Sequence, residues 1–251
     1  MLLPNDIKQY SNKQELDKRE RLFRLSREAP IPQSQYLSNA GLFIESKNLS
    51  RLLFLDFIYK TIVDVQGVVA DFGTRWGQNA AVFTSLRGIY EPFNRHRKIL
   101  LFDTFTGFPE LAPEDGDSDL MQLGQLETTP DYEHFLNSVL ECHEELAPLA
   151  HIKKFEIRKG DASTQLAAYL ADHPETIFAL AYFDFDLYKP TLECLELISD
   201  RIVRGSVLAF DELNDPDSPG ETLAVMKALG LRNCRVKRFR YASRVSYIEI
   251  E

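Results

Sequence analysis

Carboxylates in this sequence sit where a ligand would need them. The stretch Ala181-Tyr182-Phe183-Asp184-Phe185-Asp186-Leu187-Tyr188-Lys189-Pro190 follows the hydrocarbon run Ile177-Phe178-Ala179-Leu180. Two acids at this spacing share one face of an extended chain, with Phe183 and Phe185 turned the other way into packing. Asp211 and Glu212 follow Asp184 by 27 residues, at the end of another apolar run. No histidine or cysteine accompanies these acids, so the donor set is all hard oxygen and favours Mg²⁺ or a similar divalent ion over zinc. The competing structural reading has them capping helices that begin near Pro190 and Pro219.

Short apolar runs, Val68–Ala70, Ile99–Phe102, Phe155–Ile157, Ile177–Phe183 and Val207–Phe210, alternate with longer helical stretches. Several lack polar alternation, as strands covered on both faces must. The fold class is therefore α/β, with a parallel, doubly wound sheet. Asp71, Asp103, Asp161, Asp184 and Asp211 all lie at or just past the ends of these runs, the edge where open parallel sheets bind ligands. Crowded carboxylates repel one another, so such an edge calls for cationic ligands. The tail, Cys234–Glu251, gives two alternating runs joined near Ala242-Ser243, an antiparallel pair. Residues 1–65 read as a helical extension or lid, with one amphipathic helix over Gln14–Arg27 and a second over 46–65, and residues 66–251 as the main domain. The acidic stretch 112–131 is a candidate active-site loop.

One candidate cation is organic. Val68-Val69-Ala70-Asp71-Phe72-Gly73-Thr74-Arg75-Trp76-Gly77-Gln78-Asn79 is a strand running through a glycine turn into a helix. Its spacing is G-x-x-x-G, which lacks the pyrophosphate signature of dinucleotide sites; on its own it reads equally as an ordinary structural turn. Asp103, at the end of the next strand, is placed to accept both hydroxyls of a ribose, and Asp161 falls where an adenine edge would lie. Together they suit S-adenosylmethionine, an adenosine without phosphates that carries sulfonium and ammonium charges.

The chain has 251 residues and a net charge of −9. That balance gives no broad electrostatic reason to bind nucleic acid or an anionic membrane. Three widely spaced cysteines form neither a disulfide framework nor a metal pattern, which suits a reducing compartment. Met1–Asp6 lacks the basic end and apolar core of a secretion signal, and no apolar run reaches membrane-spanning length, so a cytoplasmic location is expected. The basic cluster Arg95-His96-Arg97-Lys98 reads as a solvated turn, and Trp76 as packing on the cofactor helix or as lining the methionine arm.

Four segments, Asp71–Asn79 with its glycine loop, Leu101–Glu110 with Asp-Thr-Phe-x-Gly-Phe-Pro, Tyr182–Glu196, and Gly205–Glu212, resemble the macrocin O-methyltransferase family. That family methylates deoxysugar hydroxyls in antibiotic pathways, on finished glycosides or nucleotide-linked sugars. The resemblance implies a Rossmann-like class I methyltransferase, with a mostly parallel seven-stranded sheet, helices on both faces, S-adenosylmethionine as methyl donor and Mg²⁺ as cofactor. Carried over by position, the cofactor would meet Gly73, Thr74, Arg75, Trp76, Gly77, Asp103, Thr104, Phe105, Asp161, Ala162 and Asp184. The metal would be held by Asp184, Asp211 and Glu212. Asp186 would be the base, with an exchange of roles between Asp184 and Asp186 open. Phe185 and Glu212 depart from the family's glycine and aspartate. Within the family the overall similarity is greatest to nucleotide-sugar enzymes, of the kind that methylate the 3-hydroxyl of TDP-rhamnose in an enediyne pathway. A small-molecule sugar, nucleotide-linked, is the implied substrate, Arg75, Arg87 and Lys189 the groups to meet its diphosphate, and a homo-oligomer the expected assembly. The rival readings are a metal-dependent catechol methyltransferase, against which stands Leu187 where those enzymes carry a lysine base, although Lys189 is near, and a non-catalytic S-adenosylmethionine-binding protein.

Overall fold

Strand β1 (Val68–Phe72) and strand β4 (Phe178–Phe183) are buried along their whole length, so both faces of the sheet must be covered. The computed structural model describes residues 12–251 and shows how; Met1–Asp6, read above for the lack of a leader, lies outside the described residues. With β2 (Ile99–Asp103), β3 (Phe155–Lys159), β5 (Ile202–Phe210), β6 (Lys237–Arg238) and β7 (Ser246–Glu249), these strands form one seven-stranded sheet in the order β3-β2-β1-β4-β5-β7-β6. β1 to β5 run parallel, and the tail closes the sheet with the expected antiparallel pair, so the sheet is mixed. The chain winds outward in one direction from β1 and in the other from β4. The crevice between those two strands is the topological switch point.

A ladder of phenylalanines fixes the edge. Phe102, Phe72, Phe183 and Phe210 come from four adjacent strands and stack in turn at 5.0, 4.9 and 5.2 Å between ring centroids. They pair in register, Phe72 with Phe102 and Phe183, and Phe183 with Phe210. Each is followed by a residue of the expected site: Asp103, Gly73, Asp184 and Asp211.

Helices α1 (Lys13–Arg27) and α2 (Gln33–Tyr36) precede α3 (Ser46–Thr61), and α4 (Gln78–Tyr90), α5 (Tyr132–Glu145), α6 (Ala162–Asp172), α7 (Tyr188–Ile198) and α8 (Gly220–Ala228) follow the strands. α1 starts at a capping box between Asn12 and Glu15, close to the expected boundary, and buries no residue. α3 is different. Its Phe54, Leu55, Ile58 and Tyr59 are fully buried in the core layer that also holds Val69 and Tyr182. By packing it belongs to the sheet, although the sequence reading grouped it with the extension. It also stops at Thr61, short of the expected residue 65.

The basic cluster before β2 is not a solvated turn throughout. Arg97 is 1% exposed, donating to Glu91 and to the carbonyls of Ile62 and Val65. A buried guanidinium with its donors paired closes the end of α3 against the sheet. Among the described residues no helix is long and apolar enough to cross a membrane.

Candidate active site

The turn after β1 is built by close approach. Gly73 has φ +82°, and a Cβ there would stand 2.0 Å from the carbonyl oxygen of Asp184. Gly77 has φ +77°, and a Cβ there would strike the Leu136 side chain. Both glycines are thus demanded by close packing, Gly77 against helix α5 and Gly73 bringing the β1 turn against the acidic loop after β4. Asp71 is fully buried beneath this turn, accepting from Thr74 Oγ1 at 3.0 Å and Asn79 Nδ2 at 3.2 Å. Burial pushes its carboxyl up to about 6.

Asp103 accepts the backbone N–H of Arg75 at 2.7 Å and of Phe105 at 2.6 Å. Burial raises its carboxyl and these two donors oppose the rise. A carboxylate has about four lone-pair positions, so Asp103 keeps acceptor capacity for a ribose. Asp161 caps α6 through Thr164 N and also takes the Ser163 hydroxyl. Asp161 is thus a helix cap, and it still lines the cavity described next.

A cavity of about 890 Å³ opens over the switch point. It is lined by Gly73, Thr74, Arg75, Trp76, Asp103, Thr104, Asp161, Ala162, Asp184, Asp186, Asp211 and Glu212. Two expected cofactor residues are not in its wall. Phe105 turns into the main core, since the positive φ of 60° at this residue redirects the chain, and Gly77 faces Leu136. Leu120 and Leu126 of the acidic 112–131 loop reach the cavity, and Asp115 in that loop caps α7 by accepting Tyr188 N at 2.6 Å.

The acids meet on the far side of Gly73. β4 ends at Phe183, and Asp186 adopts φ +60°, so the alternation expected to put Asp184 and Asp186 on one strand face does not apply. A left-handed turn brings them together instead. One ligand oxygen each from Asp184, Asp186 and Glu212 lie within 4.8 Å of one another. Asp211 stands beside this group, its Oδ1 already accepting the Tyr182 hydroxyl at 2.7 Å and Arg51 Nη1 at 2.8 Å. Arg51 Nη2 meets Asp184 Oδ2 at 2.6 Å. Arg244 donates to Glu212, and buried Glu221 accepts the N–H groups of Phe185 and Glu212.

Burial raises Asp184 well above the carboxylate range, and Asp211 adds to the rise. Burial lifts Asp186 to about 6. Burial followed by the charge of Asp186 raises both Glu212 and Glu221. Asp211 is the exception: burial alone would raise it, yet Arg51 and the Tyr182 hydroxyl hold it below its ordinary value. The donor set fits a hard divalent ion. It is all carboxylate, Glu212 Oε2 is buried with no hydrogen-bond partner, and a guanidinium already bridges Asp184 and Asp211.

Sequence reasoning missed Arg51, Tyr182, Glu221 and Arg244. Arg51 lies 133 and 160 residues from its two partners, and no local pattern announces such a pair. Of the groups expected to meet a diphosphate, Arg87 is buried against Glu144 and the Lys154 carbonyl, out of reach of any ligand. Lys189 is paired with Glu110. Arg75 lines the cavity, and its buried Nε has no partner.

No protein-family model and no curated protein matches the chain. Solved structures do. A crystal structure of CalS11, a calicheamicin methyltransferase, superposes with a TM-score of 0.93 at 35% identity, covering 99% of both chains. The apo structure of CalS11, described as a TDP-rhamnose 3'-O-methyltransferase of calicheamicin biosynthesis, gives a TM-score of 0.85 at 34% identity over 96% of each chain. The chain belongs to this antibiotic O-methyltransferase family. The O-methyltransferase NovP, at 15% identity and a TM-score of 0.59, shares the fold. This protein is thus a class I methyltransferase and an enzyme, as its motifs indicated. Its acid cluster sits where the fold binds ligands, beyond the carboxyl ends of β1, β4 and β5.

Proposed function

We propose that this enzyme transfers the methyl group of S-adenosylmethionine to a hydroxyl of a TDP-linked deoxysugar in antibiotic biosynthesis. The observation that carries the reading is the 35% identity to CalS11 along 99% of both chains, with the acid cluster facing a single cavity. Asp103 would accept the ribose hydroxyls, while Gly73 lets the β1 turn and the Asp184 loop close together beside the methionine arm. Asp184, Asp211 and Glu212 would hold a divalent ion, whose chemistry is to fix a sugar hydroxyl and lower its pKa. Asp186 is left to take the hydroxyl proton as the new C–O bond forms and the C–S bond breaks. Burial lifts its carboxyl to about 6 in the metal-free protein and the ion's charge would favour the ionised form, so it is an ionised carboxylate, able to accept a proton, at neutral pH. Positioning of the two reactants against each other supplies much of the acceleration.

Incubation with labelled S-adenosylmethionine, Mg²⁺ and a panel of TDP- and UDP-sugars, with identification of the methylated product, tests the reading. Methylation of catechol alone would overturn it.

A further inference from the structure

The cations found at the acid cluster are side chains, Arg244 at Glu212 and Arg51 at the Asp184–Asp211 edge. Arg51 projects from α3 and bridges two strand ends, with Nη2 2.6 Å from Asp184 Oδ2, Nη1 2.8 Å from Asp211 Oδ1 and Nε 3.3 Å from Asn79 Oδ1. Its Cζ stands 5.8 Å from the Tyr182 ring centroid. A divalent ion bound by Asp184 and Asp211 would need oxygens at about 2.0–2.6 Å. On Asp184 Oδ2 and Asp211 Oδ1 it would claim the lone pairs that Arg51 now occupies, and on the opposite oxygens it would stand against the guanidinium's charge across the same two carboxylates.

We infer that Arg51 is the resident cation of the Asp184–Asp211 edge and competes with the catalytic metal: the ion takes that edge only by displacing the guanidinium. The inference rests on the divalent-ion reading above. It accounts for the present grouping of the acids. With Arg51 and Tyr182 on its Oδ1, Asp211 stands outside the close set of Asp184, Asp186 and Glu212. Release of Arg51 frees Asp211 to join Asp184 and Glu212, and leaves Asp186 as the uncommitted base.

The fold says which part moves. Phe54, Leu55, Ile58 and Tyr59 anchor the second half of α3 in the core, so the helix stays in place. Arg51 lies one turn before that anchor, on a face that lines the cavity along with Ser46, Lys47 and Ser50. The guanidinium can leave the carboxylates and remain in the cavity. Arg51 is thus a positioning residue that keeps Asp184 and Asp211 from standing unscreened before the metal arrives, as Arg244 does for Glu212.

The test measures metal binding, not turnover. Mn²⁺ is titrated calorimetrically into the wild-type chain, Arg51→Gln and Arg51→Lys, without methyl donor or sugar. Removing a positive charge from the ion's own ligands should tighten Mn²⁺ binding by about tenfold or more in Arg51→Gln. Arg51→Lys, which keeps a cation there, should stay near wild type. Equal or weaker binding by Arg51→Gln, or equal tightening by Arg51→Lys, overturns the inference while leaving the metal reading intact. Absence of Mn²⁺ binding by all three proteins overturns both. If Arg51→Gln does not fold, the wild-type chain decides. Phenylglyoxal should modify Arg51 faster once Mn²⁺ is added, and an unchanged or slower rate overturns displacement.

Discussion

Asp184 and Asp186 are separated by one residue and have different work to do. Asp184 is bridged to Arg51 and partly open to the cavity, whereas Asp186 is 5% exposed and held in a left-handed turn at φ +60°. Asparagine tolerates that conformation as well as aspartate, so Asp186→Asn tests the charge and not the backbone. Turnover should fall about 10²–10⁴-fold, the usual contribution of a positioned base, with cofactor affinity retained and the loss persisting at saturating metal. Burial lifts the Asp186 carboxyl to about 6 in the metal-free protein and a bound ion would draw it back down, so the wild-type rate should fall on the acid side of that value, and the variant's residual rate should lack that limb. Asp184→Asn should instead weaken metal binding, with part of the rate restored by excess Mg²⁺. Near-normal turnover in Asp186→Asn would move the base elsewhere. Asp103→Ala should weaken S-adenosylmethionine by about tenfold or more, since the ribose hydroxyls lose a charged acceptor worth roughly 1.5–3 kcal/mol. Unchanged affinity by calorimetry would refute the assignment. The acids themselves were legible because each follows an apolar run. Arg51 and Arg244 were not, because their partners in the cluster lie 32 to 160 residues away, and nothing local marks Glu221 as buried.

The phenylalanine ladder explains why the strand ends could be read from sequence. Phe72, Phe102, Phe183 and Phe210 close four buried runs in register, and the residue after each emerges at the ligand edge. Local hydrophobicity carries that information. What happens beyond the ladder depends on turns, which are harder to read: Asp186 was treated as strand but reverses its backbone, and Phe105, for which adenosine contact and core packing were equally open, turns into the core. Gly73 joins two of these turns. Gly73→Ala adds a Cβ 2.0 Å from the Asp184 carbonyl, at a φ of +82° that alanine disfavours. Backbone strain and the clash together should cost about 2 kcal/mol or more, read as a lower urea midpoint. S-adenosylmethionine and metal affinity should fall together, because the two half-sites are spaced by this one contact. Loss of cofactor affinity with normal metal affinity would show that the turns move independently.

At the scale of the whole molecule, the chain gathers more buried negative charge than its arginines offset. Asp71, Asp184, Asp186, Glu212 and Glu221 all have carboxyls raised first by burial. A raised carboxyl holds its proton in the folded state at a pH where the unfolded chain has released it. Its ionisation therefore costs stability as pH rises from the ordinary value through the raised one. For Asp71, lifted from 3.8 to about 6, the cost is on the order of 3 kcal/mol once ionised. The opposing groups, Glu91 and Asp211 among them, have lowered carboxyls, and their contribution is lost only below about pH 4. Between about pH 5 and 8 the raised set governs. The metal-free protein should accordingly melt at progressively lower temperature across that range. Asp71→Asn, which keeps the shape and removes the charge, should flatten part of the decline. Mg²⁺ should stabilise the protein more at pH 8 than at pH 5, because it binds the ionised acids. Melting curves in EDTA and in Mg²⁺ at four pH values decide the matter. A metal-free melting temperature that is level or rises from pH 5 to 8 would mean that the cluster's charge is already balanced within the fold.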